Sequence, residues 1–126
     1  MFGHPAQGPN NDGGSIIANN IISDFGYGDA AWIWGSSSGS ACPIRFDHAP
    51  LLENPPLTDV IVQGNIIYDS GRDLPLVNGV PTREAPRYKY AVRIESTGTN
   101  PPQGLHFMGN IFHPGTAGVS NVELPP

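Results

Sequence analysis

The chain has 126 residues, the size of one domain, and a formal net charge of −5 at pH 7. This acidic balance argues against a dedicated nucleic-acid-binding protein, whose binding surface would be basic. Gly (16 residues) and Pro (14 residues) separate short runs of Ile, Val, Leu and Phe, so the composition predicts an all-β protein. A single cysteine, Cys42, excludes an internal disulfide. No run approaches the roughly 20 apolar residues of a membrane span.

The first 14 residues, MFGHPAQGPNNDGG, are rich in Pro and Gly. They predict an N-terminal cap or extension, followed by a structured domain over residues 15–126. The start of the chain also lacks a basic segment followed by an apolar one, so no signal peptide is predicted in it.

Three similar segments then recur at a constant interval of 45 residues: SIIANNIISDFG (15–26), DVIVQGNIIYDSG (59–71) and GLHFMGNIFHPG (104–115). Each segment predicts a short strand, a tight turn ending in Asn, and a second short strand. The aligned asparagines are Asn20, Asn65 and Asn110. We interpret them as structural turn residues, because Asn tolerates a left-handed backbone and satisfies backbone polar groups.

Alternation along a strand predicts which side chains of these segments point inward. In the first strands the predicted inward pairs are Ile16 with Ala18, Val60 with Val62, and Leu105 with Phe107. In the second strands the predicted inward residues directly follow the asparagine: Ile21, Ile66 and Ile111. A further repeat position is predicted to form an outward column whose chemistry changes between repeats: Ser23, Tyr68 and His113.

A third apolar run follows each pair: AAWIWGSSSG (30–39), YAVRIESTGT (90–99) and AGVSNVEL (117–124). The first repeat offers a second register, because PIRFDHA (43–49) matches YAVRIES in its apolar-Arg-apolar-acid order. We prefer AAWIWG, since it follows its asparagine at a normal loop distance, and residues 40–57 then become an insertion. Trp32 and Trp34 share one face of that strand, either as core or as a sugar-stacking platform.

This order of strand, Gly-Asn or Asn-Asn turn, strand, loop and strand resembles the right-handed parallel β-helix of the pectin lyase-like superfamily over roughly residues 14–124. The resemblance implies a solenoid of about three coils with long loop insertions and a ladder of stacked asparagines. It also implies an extracellular location, or one at the surface of a cell or virion. The superfamily includes lyases, hydrolases, esterases, phage tailspikes and non-catalytic members, so it implies little about chemistry.

Substrate in the superfamily usually lies along the outer face of the first sheet, here residues 31–35, 91–95 and about 118–122. If Val92 and Ile94 point inward, Arg93 and Glu95 point outward on that face. Cations beside aromatic rings suit an acidic, uronate-rich polysaccharide, although they equally suit an ion-paired, solvated loop. The candidate binding residues, most of them in the loop of residues 70–90, are Arg83, Arg87, Tyr88, Tyr90 and Tyr68.

Two kinds of catalysis are open. A lyase needs a cation that neutralises the substrate carboxylate, together with a base and an acid. A hydrolase needs two carboxylates, about 5 Å apart for retention or about 6.5–9.5 Å apart for inversion. The candidate catalytic residues are Arg93, Lys89, Glu95 and His113, and the further carboxylates available to a hydrolase are Asp24, Asp29, Asp47 and Asp69.

The four histidines and Cys42 show no metal-ligand spacing, so no metal cofactor is predicted. Calcium stays open, because DFGYGD (24–29) supplies two acids. The open ends of a short solenoid predict that other protein chains cap it, in a homo-oligomer or a larger assembly. Two functions remain: a carbohydrate-active or carbohydrate-binding protein for an acidic polysaccharide, or a non-catalytic structural module of a fibre, spike or extracellular complex.

Overall fold

The computed structural model describes residues 13–26, 42–48, 55–69, 73–83 and 85–126. Within these ranges the chain forms strands and no helix. The strands are β1 (Ile16–Ala18), β2 (Ile21–Ser23), β3 (Ile44–Phe46), β4 (Thr58–Gln63), β5 (Ile66–Tyr68), β6 (Asp73–Val77), β7 (Val80–Arg83), β8 (Tyr90–Ile94), β9 (Gln103–Met108), β10 (Ile111–Phe112) and β11 (Gly118–Ser120). None of the described residues therefore belongs to a helix with the length and hydropathy needed to cross a lipid bilayer.

Three parallel sheets contain most of these strands, in the orders β1-β4-β9, β10-β5-β2 and β11-β8-β3. Three successive passages of the chain each contribute one strand to every sheet. The register follows the sequence interval: Ile61 lies opposite both Ile16 and His106, and Ile66 lies opposite both Ile21 and Ile111. The prediction of an all-β protein is confirmed, and its main sheets are parallel.

The predicted register of the third strand in the first repeat is wrong. Strand β3 consists of Ile44–Phe46, with Ile44 opposite Val92 and Phe46 opposite Ile94. It fills the place in the sheet that AAWIWG was expected to fill, so residues 40–57 are not merely an insertion. The physical reason is side-chain alternation, because Ile44 and Phe46 are buried against the core while Arg45 faces outward. Trp32 and Trp34 lie outside the described residues, as does most of the predicted N-terminal cap.

One hydrophobic cluster combines residues from all three sheets. The predicted inward residues of β4 and β9 are confirmed, because Val60, Val62, Leu105 and Phe107 are buried. In β1 the prediction is wrong by one position. Ile17 lies opposite Val62, whereas Ile16 is 66% exposed.

In the second strand of each repeat, the inward-facing positions are likewise shifted by one residue from the prediction. Ile21 and Ile111 are 73% and 67% exposed, whereas Ile67 is buried. The prediction that Ile21, Ile66 and Ile111 point inward is therefore wrong. The cause is the asparagine itself: Asn65 is fully buried, so alternation directs Ile66 outward and Ile67 inward.

The turns use two left-handed positions in each repeat. The residue before each repeated asparagine has a positive φ: Asn19 (57°), Gly64 (63°) and Gly109 (62°). A second residue with a positive φ lies just before β1 or at the second position of β4 and β9: Gly14 (73°), Asp59 (57°) and Gly104 (62°). Only Gly, Asn and Asp occupy these positions, since they tolerate this backbone at least cost. The left-handed residue is thus the one before Asn20, Asn65 and Asn110.

Two further features complete the fold. Strands β6 and β7 form an antiparallel hairpin, and its turn at Asn78 and Gly79 has positive φ at both residues, as a type I′ turn requires. The last residues, 121–126, lie along the edge of β9, where Phe107 N donates to Pro125 O at 2.8 Å. Val122 and Leu124 pack against the core from this segment.

Candidate functional site

Strands β3 and β8 bring two arginines together on the outer face of their sheet. Arg45 lies directly opposite Arg93 in the parallel register. The neighbours of each arginine in its strand are buried, so alternation directs both guanidinium groups outward. Their side chains remain 22% and 23% exposed. The sheet therefore carries two cations side by side.

Each arginine pairs with a carboxylate two residues further along the chain, on the same face. Arg45 Nε and Nη2 donate to Asp47 Oδ1 at 3.1 and 2.8 Å. Arg93 Nη2 lies 3.1 Å from Glu95 Oε2. The parallel pairing continues past β3, because Glu95 N donates to Phe46 O at 2.9 Å. The two ion pairs therefore sit on neighbouring strand extensions in the same orientation.

His48 completes the group, which we call the arginine–carboxylate cluster: Arg45, Asp47, His48, Arg93 and Glu95. Asp47, His48 and Glu95 each offer one potential ligand atom, and these three atoms lie within 4.8 Å of one another. Gly98 packs on the imidazole, since a Cβ there would come within 3.3 Å of His48 Cδ2. Within the described part of the chain, the buried His48 Nδ1 has no hydrogen-bond partner.

Sequence reasoning found Arg93 and Glu95 but did not join them to Asp47 and His48. The preferred register placed residues 40–57 in an insertion, so the two acids seemed unrelated. The usable signal was the repeated apolar-Arg-apolar-acid order, Ile44-Arg45-Phe46-Asp47 against Val92-Arg93-Ile94-Glu95.

Cys42 lies beside this cluster and is buried. Burial raises the pKa of its thiol to about 11, while the positive charges of Arg45 and Arg93 oppose that rise. The thiol is therefore protonated at neutral pH. Because the thiolate is the reactive form, burial makes Cys42 less nucleophilic at neutral pH than an exposed cysteine.

Lys89 and Tyr90 lie where the chain enters β8. Tyr90 is the first residue of that strand, three positions before Arg93, and it pairs with Gly118 of β11. Lys89 Nζ lies 5.8 Å from the centroid of the Tyr90 ring, within the range of a cation–π contact. Both side chains are partly exposed.

Tyr88 belongs to the core. Its side chain is fully buried, and its hydroxyl donates to His113 O at 3.0 Å. Its ring meets the Phe25 ring edge-to-face, with centroids 6.3 Å apart. This burial contradicts the expectation of an exposed sugar-binding ring. Tyr88 instead ties the segment before β8 to the segment after β10.

Tyr68 and His113 lie on the sheet β10-β5-β2. Tyr68 pairs with Ser23 and is 51% exposed, while His113 N donates to Ile67 O at 2.9 Å and its side chain is exposed. They form the predicted outward column. His113 is therefore on a different sheet from Arg93 and Glu95, and the predicted catalytic residues divide between two sheets.

The remaining predicted binding residues are Arg83 and Arg87. Arg83 ends β7 and pairs with Asp73 in the hairpin, but its side chain lies outside the described part of the structure. Arg87 is partly buried and packs closely on Gly26. A Cβ added at position 26 would lie 2.8 Å from the Cβ of Arg87.

The repeated asparagines form a hydrogen-bonded column. Asn65 Oδ1 accepts from the backbone N and the Nδ2 of Asn20 at 3.0 and 2.9 Å. Asn110 Oδ1 accepts in the same way from Asn65 at 2.9 and 3.0 Å. Asn65 Nδ2 also donates to Ile17 O at 2.8 Å. The Asn65 amide is thus fully engaged in linking the three turns.

Comparison with protein-family models, with curated proteins and with solved structures finds no match to this chain. The resemblance of its repeat to the pectin lyase-like superfamily stays a prediction from sequence pattern. The geometry of the arginine–carboxylate cluster is therefore the main guide to function.

Proposed function

We propose that the chain is a right-handed parallel β-helix protein that binds an acidic, uronate-rich polysaccharide along the outer face of the sheet β11-β8-β3. In this proposal it works outside the cell or at the surface of a cell or virion. Three passages of chain through three parallel sheets are the arrangement from which a three-coil solenoid is built.

The observation that carries the proposal is the register of Arg45 against Arg93. Neighbouring strands lie about 4.8 Å apart, so the two guanidinium groups repeat along the direction in which strands stack. A polyuronate presents carboxylates at regular intervals. Guanidinium groups bind carboxylates in a two-pronged geometry, so an ordered pair of them suits such a polymer.

The internal carboxylates position the arginines without exhausting them. A guanidinium group has five N–H donors, and each ion pair uses one or two of them. The partly exposed Lys89 lies just before β8, with its Nζ 5.8 Å from the centroid of the Tyr90 ring. An apolar ring beside cations supports sugar binding, because the ring can cover an apolar sugar face.

Catalysis by a lyase or glycoside hydrolase is the second part of the proposal. Asp47 and Glu95 have carboxylate oxygens no more than 4.8 Å apart, which is nearer to the roughly 5–5.5 Å separation of retaining hydrolases than to the roughly 6.5–9.5 Å of inverting ones. The arginines beside them could equally neutralise a uronate carboxylate for a lyase. His48 adds a proton-exchanging group to either chemistry.

The test is a titration of the full chain with polygalacturonate and with alginate, followed by calorimetry. The control is the same polygalacturonate after reduction of its carboxyl groups. We expect binding to the acidic polymers alone, with affinity falling as salt is added. Equal binding to the reduced polymer, or binding to neither, would contradict the proposal. Assays for unsaturated ends and for reducing ends then separate lyase from hydrolase.

A second candidate function is a structural or assembly module. The specific observation is the outward column of Ile21, Ile66 and Ile111, two of whose members are among the most exposed apolar side chains. Contiguous exposed apolar surface is typical of protein–protein contacts. Sedimentation equilibrium of the wild type and of Ile111→Lys tests it: an oligomer that dissociates in the variant supports assembly, and a monomer in both contradicts it.

A further inference from the structure

We propose that Asp47, His48 and Glu95 form a binding site for a divalent transition metal ion, of which Zn²⁺ is the representative. This inference goes beyond polysaccharide binding and does not depend on it. It also departs from the sequence-based expectation of no metal, since residues 48 and 95 come together only through the pairing of β3 with β8.

The geometry fits a small cation. For three atoms that are no more than 4.8 Å apart, there is always a point within about 2.8 Å of all three. Zinc is bound at about 2.0–2.1 Å by imidazole nitrogen and at about 2.0–2.2 Å by carboxylate oxygen. Each donor therefore has to move by less than about 1 Å, which side-chain torsions supply.

The second, independent observation is the state of His48. Its Nδ1 is buried, and no described residue hydrogen-bonds to it. An unsatisfied buried polar atom costs about 1–3 kcal/mol. The ring is also held in place by Gly98. A metal ion in the cluster would give a polar partner to this imidazole, which lies beside two carboxylates while its buried Nδ1 has no hydrogen-bond partner among the described residues.

The surroundings resemble the outer shell of a metal site. Arg45 orients the Asp47 carboxylate, and Arg93 and Thr97 orient that of Glu95, with Thr97 Oγ1 donating to Glu95 Oε1 at 3.2 Å. Hydrogen bonds of this kind fix ligand orientation in metalloproteins. The two guanidinium charges offset the two carboxylates, so we expect weaker binding than at a closed structural zinc site.

The donor set favours a transition metal over calcium or magnesium. Imidazole suits Zn²⁺, Fe²⁺ and Ni²⁺, whereas Ca²⁺ and Mg²⁺ take oxygen ligands. Three protein ligands also leave a coordination position for water or substrate, as in catalytic zinc sites. The protein groups that would hold the ion are the imidazole and the two carboxylates.

The test uses the full chain, stripped with a chelator and then titrated with ZnCl₂ by calorimetry, with CaCl₂ as the comparison. We expect one Zn²⁺ per chain and an affinity that exceeds that for Ca²⁺. His48→Ala and Glu95→Gln should each weaken Zn²⁺ binding by more than about tenfold. His106→Ala is the matched control, because His106 is exposed on β9, on a different sheet, and should bind Zn²⁺ like the wild type.

A second measurement uses the wild-type chain, so it does not depend on whether a variant folds. Co²⁺ bound to the wild-type chain should give visible absorption bands of a low-coordinate nitrogen–oxygen site, displaced by Zn²⁺ in a one-to-one ratio. Absence of saturable Zn²⁺ binding, a preference for Ca²⁺, or unchanged Zn²⁺ affinity in a folded His48→Ala chain would overturn the proposal.

Discussion

Arg93 lies opposite Arg45 on the neighbouring parallel strand, and each arginine is paired with a carboxylate two residues further along the chain, just past the end of its strand. The same four-residue order thus appears twice, one strand apart. Like charges on adjacent strands are unfavourable unless they are neutralised. The carboxylates neutralise them here, and they hold both guanidinium groups on the outer face of the sheet.

The column of asparagine amides predicts a graded response to substitution. Asn65→Ala removes a fully buried amide and takes away the side-chain partners of Asn20 N and Ile17 O, so we expect a loss of about 2–4 kcal/mol in the free energy of unfolding. Asn20→Ala, at the exposed end of the column, should cost about 1 kcal/mol or less. Urea denaturation of both variants measures the difference, and equal losses would argue against a cooperative column.

Tyr88 should behave as a core residue. Tyr88→Phe removes only the hydroxyl that donates to His113 O, so we expect a loss of about 1 kcal/mol in stability. Tyr88→Ala removes the buried ring as well and should cost about 3–5 kcal/mol. Thermal unfolding provides the measurement. A stable Tyr88→Ala chain with impaired polysaccharide binding would instead mean that Tyr88 is a binding residue.

Gly115 is required for a close approach of two chain segments. A Cβ at this position would collide with the backbone carbonyls of Tyr88 and Lys89, so Gly115→Ala should cost about 3 kcal/mol or more. Gly109→Asn is the matched control. Its left-handed backbone suits Asn, the equivalent position in the first repeat is Asn19, and a Cβ there meets no described atom within 4 Å. We expect the urea midpoint to stay near that of the wild type in Gly109→Asn and to fall in Gly115→Ala.

Cys42 predicts a specific loss of stability in alkali. Burial raises the pKa of its thiol from 9.0 to about 11. As pH rises from about 9 to about 11, the unfolded chain loses this proton while the folded chain keeps it, so the folded state loses stability. The difference in free energy of unfolding between wild type and Cys42→Ala should therefore shrink across that range. A constant difference from pH 8 to pH 11 would contradict this linkage.

The sequence predicted the parts of the fold that depend on local repetition. The repeat interval of 45 residues correctly predicted six strands, and it predicted which residues lie opposite Ile61 and Ile66. It did not reveal which face of those strands is buried. Asn65 decided that point by occupying an interior position, and a polar residue in the core is something that hydrophobic pattern does not predict.

For a related reason, the sequence predicted Arg93 and Glu95 as site residues but not that Arg45, Asp47 and His48 lie beside them. AAWIWG is at least as apolar as Ile44-Arg45-Phe46, so local pattern favoured the wrong strand. The correct choice depends on a contact between residues 48 positions apart, Arg45 with Arg93, and on where His48 then falls. Such pairings are decided by packing across the sheet rather than by local propensity.

The most direct test of polysaccharide binding at this sheet is the affinity of four chains for polygalacturonate: wild type, Arg93→Gln, Glu95→Gln and the double variant. The double variant changes neither the net charge nor the number of unpaired charges. We predict that Arg93→Gln and the double variant each lose at least tenfold in affinity, about 1.4 kcal/mol. Glu95→Gln should bind as well as the wild type or more tightly, since it frees the Arg93 guanidinium. Wild-type affinity in the folded double variant would contradict the account.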